Sequence, residues 1–115
     1  MNNIRIAVMT LLLFLPALPA QAIILGYVTG SDYLKLDDNA RLGWLIGAMD
    51  GIMAESTLIK KDAQGPWLGR CIAGLDTQQI KAIFEKELSE NPEGWHAPAA
   101  LIFRGKMKDF CKGRI

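Results

Sequence analysis

Three side chains in this 115-residue sequence have the chemistry of a nucleophile or a general base: Cys71, Cys111 and His96, the single histidine. A thiol beside an imidazole is the usual arrangement of a cysteine nucleophile, but it needs a third group to orient the base, and none is evident here. The competing reading is a bridge, because an even pair of cysteines in a small exported chain reads as a disulfide. Closing Cys71 onto Cys111 shuts a loop of roughly 40 residues, for which chain entropy predicts about 4 kcal/mol of stabilisation. One histidine and two bridged cysteines cannot build a zinc site. No phosphate-cradling glycine loop and no G-x-S-x-G elbow occurs. Asp37-Asp38 has the look of an acid pair, yet a helix cap with acid at the positive end of the dipole explains both residues more simply. The expectation is a binding protein, not an enzyme, with no cofactor and no metal.

Export itself is read from the first 22 residues. Arg5 precedes an apolar run from Ile6 to Leu15, Pro16 and Pro19 interrupt it, and Ala20-Gln21-Ala22 supplies small residues at −3 and −1. That is the pattern of a secretory signal cleaved after Ala22, and the run is too short and too proline-broken for a membrane span. The expected organisation is therefore a signal peptide over 1–22 and one domain over 23–115, located in the periplasm and with no membrane anchor in the mature form. Of the 50% hydrophobic content a disproportionate part belongs to the signal, and the remainder has an ordinary composition. The formal charge of +1 falls to zero once Arg5 is removed. A neutral chain has no basic field to hold nucleic acid or steer a charged partner over long range.

The elements that must position these groups are helices. Residues 23–30 form an apolar, glycine-bounded lead-in, and Ser31-Asp32 offers a cap for a short helical turn through Tyr33, Leu34 and Leu36. Asp37-Asp38 then caps a longer helix whose apolar residues Leu42, Leu45, Ile46, Met49, Ile52 and Met53 recur at helical spacing. Gly43, Gly47 and Gly51 form a second stripe, each at a cost of ~1 kcal/mol in helix propensity. Close approach of another helix accounts for that cost; a contact within the chain is the simpler expectation and a second subunit the alternative. Residues 57–70 read as a connection broken at Gly65-Pro66, with Trp67 packed under it. Asp76 with Gln79 approximates a capping box for a third helix, whose core face is Ile80, Ile83, Phe84 and Leu88. Its other face carries the i,i+4 pairs Lys81–Glu85 and Lys86–Glu90 and reads as bland and solvent-facing. Asn91-Pro92 stops it. A last helix begins near Ala97-Pro98 and presents Ala99, Ala100, Phe103, Met107, Phe110 and Cys111 on one broad face. The predicted fold is all-α, a small single-domain bundle of about four helices stapled by one disulfide.

The second half carries a resemblance. Cys71-Ile-Ala-Gly-Leu-Asp-Thr-Gln-Gln-Ile80, Ile83-Phe84, Leu88, Asn91-Pro92-Glu93, Trp95-His96, Ala99-Ala100 and Phe110 before Cys111 resemble the Rap/Tai-type immunity proteins. Upstream, Leu34-Lys35-Leu36 and Leu45-Ile46-Gly47-Ala48-Met49-Asp50-Gly51 look like that family's first two helices. The resemblance spans roughly residues 30–111. It implies a small exported helical protein that neutralises a peptidoglycan amidase toxin of a type VI secretion system by covering its cleft, and a possible homodimer. Many members carry a further cysteine pair around the first two helices; here that region has Asp37 and no cysteine, which implies a single disulfide and a looser N-terminal half.

No motif singles out the residues that touch a toxin. The loop containing Asn91, Glu93, Trp95 and His96 is the candidate, because it joins polar groups to an aromatic anchor on a helical pair; packing of Trp95 and His96 at the helix junction is the competing expectation. Two other functions fit the same sequence: a periplasmic acid-stress chaperone of the HdeA type, or a structural adaptor of an envelope complex.

Overall fold

Three of the helix starts in this protein are set by side chains that satisfy the first free backbone N–H groups. The computed structural model describes residues 27–115; the expected signal peptide and the start of the lead-in lie outside the described residues. α1 spans Gly30–Lys35, α2 Asp38–Leu58, α3 Trp67–Ile72, α4 Thr77–Glu90 and α5 Ala99–Cys111, with a 3-10 turn at Pro92–Gly94. The fold is all-α, with no strand among the described residues. It has five helices where about four were expected, because α3 forms inside the stretch read as a connection.

Asp37 caps α2, its carboxylate accepting from the Ala40 N–H at 2.8 Å. Asp76 and Gln79 make the expected reciprocal box at the start of α4, at 2.8 and 2.9 Å. The short α1 differs from expectation. Its cap is Thr29, and Asp32 sits at the third position and closes the box from inside the helix. Thr29 begins the helix two residues early, so Gly30 falls within it.

The core is built across all five helices. Tyr33 of α1, Phe84 of α4 and Phe103 of α5 are fully buried, and Trp44 of α2 packs against all three. Leu45, Met49 and Ile52 of α2, Leu68 of α3, Ile80 and Leu88 of α4, and Met107 of α5 complete it. Ile46, expected on the buried stripe of α2, is 49% exposed. It sits one residue from Leu45, about 100° around the helix, so the two cannot share a narrow face.

Residues 28–31 form a strap over the chain after α4. The Ala99 N–H donates to the Val28 carbonyl at 2.7 Å, the Gly30 N–H to Ala97 at 3.1 Å and the Ser31 N–H to Trp95 at 3.0 Å. The approach is close enough to require glycine: a β-carbon on Gly30 would lie 3.2 Å from the Trp95 Cα and 3.1 Å from the Ile102 Cδ1. Cys71 in α3 and Cys111 at the end of α5 are joined by a disulfide, with Cα atoms 5.6 Å apart and both residues buried.

Candidate functional site

The loop after α4 is held from three sides, and that separates its residues into supports and projections. Asn91 ends α4; its amide donates to the Glu87 carbonyl at 3.2 Å and the Glu87 carboxylate at 2.9 Å. Trp95 is half-buried, and its indole N–H donates to the Leu88 carbonyl at 2.7 Å. The strap fixes the backbone at Trp95 and Ala97. Glu93 and His96 are exposed. Of the four residues expected here, Asn91 and Trp95 thus build the loop, whereas Glu93 and His96 are presented by it. A polar tip with a fixed backbone loses little conformational entropy when a partner covers it.

Gly43, Gly47 and Gly51 correct an expectation. A β-carbon at any of them meets nothing within 4 Å, so they make no helix-packing contact among the described residues. They lie on the outer side of α2, with Ala54 and the 75% exposed Leu58 on the same face. Since Leu45, Met49, Ile52 and Ser56 are buried on the opposite side, the glycine stripe cannot also face inward. Gly47→Ala is expected to raise stability by roughly 0.5–1 kcal/mol, because the helix gains propensity and the new methyl meets no obstacle. A thermal melt of the variant beside the parent checks this; a lower midpoint would mean that the face is occupied.

Sequence reasoning missed a polar junction under α1. Lys81 and Glu85 are not a bland pair: Glu85 accepts from the Tyr33 hydroxyl at 3.1 Å and from Arg41 at 3.1 Å, and lies 3.1 Å from Lys81. Arg41 also donates to the Leu34 and Leu36 carbonyls, at 2.6 and 3.0 Å, which satisfies the end of α1. Burial, then the charge on Glu85, pushes the Tyr33 hydroxyl well above its usual range, so it stays a proton donor. The one available signal was Arg41 itself, a cation one turn into a helix that begins with acid. Lys86–Glu90, in contrast, is exposed on both sides as expected.

Two further ion pairs cross between helices. Arg104 of α5 holds both carboxylate oxygens of Glu55 on α2, and Lys106 lies 3.1 Å from Glu87 on α4. The hydrogen bond from Arg104 holds the Glu55 carboxyl below its ordinary value of 4.5. A lowered value in the folded state means stability that is present at neutral pH and lost as pH falls through the carboxylate range. Glu55→Gln is therefore expected to melt below the parent at pH 7, with the two midpoints converging as the pH falls through the carboxylate range. Midpoints that stay parallel across that range would contradict it.

A cleft of about 230 Å³ opens between the start of α3 and the end of α5, lined by Trp67, Lys108, Cys111, Lys112, Gly113 and Ile115. The Lys108 ammonium sits 4.9 Å from the centre of the Trp67 ring. The indole N–H of Trp67 is buried without an acceptor among the described residues. Compared with family models, with curated proteins and with solved structures, the chain matches none of them.

Proposed function

We propose that this protein is a periplasmic immunity protein that binds a peptidoglycan amidase toxin of a type VI secretion system and blocks its catalytic cleft. The observation that carries the reading is the braced loop after α4. Glu93 and His96 project from a backbone pinned by the strap, by the Trp95 indole and by Asn91. The loop coincides with the Asn91-Pro92-Glu93 and Trp95-His96 elements of the immunity-protein resemblance. A rigid polar tip is the shape that fills a cleft without first having to order itself. The disulfide suits an oxidising compartment. Co-expression in the periplasm with a cysteine amidase encoded beside this gene should rescue cells from lysis, and a Glu93→Ala/His96→Ala variant should rescue them less well. Lysis without rescue, with no complex on size exclusion, would overturn the assignment.

A second reading has its own support. The interhelical pairs Glu55–Arg104, Glu85–Arg41 and Glu87–Lys106 each depend on an ionised carboxylate, and their loss in acid would loosen α2, α4 and α5 together. That is the behaviour required of an acid-stress chaperone of the HdeA type. Suppression of aggregation of an unfolded client near pH 3 but not at pH 7, together with failure to protect against any amidase, would favour it over immunity.

A further inference from the structure

We propose that the cleft at the end of α5 is a docking site for a carboxylate side chain on an acidic peptide segment of a partner protein. The argument begins with charge. The chain after the expected signal is neutral, yet residues 104–115 hold five cations and one carboxylate, and residues 76–93 hold five carboxylates and two cations. Three of the five cations are matched by carboxylates: Arg104 by Glu55, Lys106 by Glu87 and Lys112 by Asp109. Lys108 and Arg114 have no carboxylate partner among the described residues. Each lies instead over an aromatic ring, Lys108 on Trp67 and Arg114 on Phe110. Lys108 lines the cleft, and Arg114 lies between two residues, Gly113 and Ile115, that do. The dipole of α5 favours cations near its last turn, but it does not require a cleft with an indole wall there.

The cleft's shape narrows the ligand. About 230 Å³ is below the ~300–1,000 Å³ of pockets that enclose a drug-sized molecule, and suits one or two side chains. Its walls are mixed. The Trp67 ring and Ile115 offer apolar surface, Lys108 offers an ammonium with no carboxylate partner among the described residues, and Lys112 a second that an exposed pair with Asp109 holds. An aliphatic stem ending in a carboxylate, as on glutamate, matches both. Trp67 adds a buried indole N–H with no acceptor among the described residues. Phosphate is the poorer match, because the cleft is lined by two point-charge ammoniums and no arginine fork. This site lies outside the loop of Glu93 and His96, and stands whether or not the partner is a toxin.

The test uses nitrogen-15-labelled protein exported through its own signal and purified from the periplasm. Its three tryptophans give three indole N–H resonances, assigned by Trp67→Phe and Trp95→Phe. Titration with hexaglutamate at low ionic strength should shift the Trp67 resonance saturably and leave that of Trp95 in place. Lys108→Gln/Lys112→Gln should weaken the binding at least about tenfold, and rising salt should weaken it too. Both lysines are exposed, so the variant should melt with the parent. Hexalysine should shift nothing. The proposal fails if hexaglutamate leaves Trp67 unmoved, or if the double variant binds as tightly as the parent. It fails equally if inorganic phosphate or anionic lipid vesicles shift Trp67 as strongly as hexaglutamate does.

Discussion

Replacing both bridged cysteines, as Cys71→Ala with Cys111→Ala, is expected to lower the stability of the domain by about 4 kcal/mol, from the entropy of opening a loop of roughly 40 residues. For a domain of this size that is a fall of roughly 20 °C in Tm. The bridge ties the short α3 to the end of α5. α3 has six residues, well under the ~12–15 at which an isolated helix becomes even marginal in water. It has no side-chain cap at its N-terminus, and it is tethered to α2 by a loop with positive φ at Lys61 and Gly65. What holds α3 is Leu68 in the core, Cys71 on α5 and Arg70 bracing the loop through Asp62. Thermal unfolding of the double variant, and of the parent with and without reductant, measures the effect. The intact protein should be lighter by two hydrogens than its reduced form. If reduction leaves Tm unchanged, the bridge contributes nothing that packing does not already supply.

Local interactions explain which parts of this molecule were legible in the sequence. The caps at Asp37 and Asp76 each involve partners three residues apart, and both form where the spacing says they should. The stop at Asn91-Pro92 and the pairing of Cys71 with Cys111 were legible for similar reasons: a proline rule in one case and a choice among two thiols in the other. Misreadings arise where a residue's neighbour is remote. Glu85 finds Lys81 one turn away, as expected, but also Tyr33 and Arg41 from 52 and 44 residues upstream. Nothing in the spacing of α4 could show that a solvated-looking pair closes a junction with α1 and α2. The glycine stripe of α2 fails in the opposite sense. Small residues at i, i+4 permit close packing, but the sequence contains no information on whether a partner helix is on that side, and the chain places its core on the other. At the candidate loop the roles of the four residues were not separable in the sequence. Whether Trp95 projects or anchors depends on the Leu88 carbonyl, seven residues back, and on a strap from the other end of the chain.

Phe84→Ala is the second large effect expected, a loss of about 3–5 kcal/mol. Phe84 is fully buried, and each of its ring neighbours comes from a different helix: Tyr33 at 4.9 Å from α1, Trp44 at 5.7 Å from α2 and Phe103 at 5.4 Å from α5. Two of these contacts are edge-to-face and one is stacked, geometries that add ~0.5–1.5 kcal/mol per pair beyond the apolar area buried. Truncation removes all three at once and leaves a cavity that can close only if Tyr33 or Trp44 moves. Neither is free to do so. The Tyr33 hydroxyl is fixed on Glu85, and Trp44 also packs edge-to-face on Phe103. The cost should therefore fall near the upper end of the range, against a total of ~5–15 kcal/mol for a domain. Phe84→Leu keeps most of the volume and loses the ring contacts alone, so it should recover more than half of the deficit. Equilibrium urea unfolding of the two variants beside the parent separates these contributions. A Phe84→Ala variant within about 1 kcal/mol of the parent would show that the four rings do not hold the helices together, and that the disulfide and the interhelical ion pairs do.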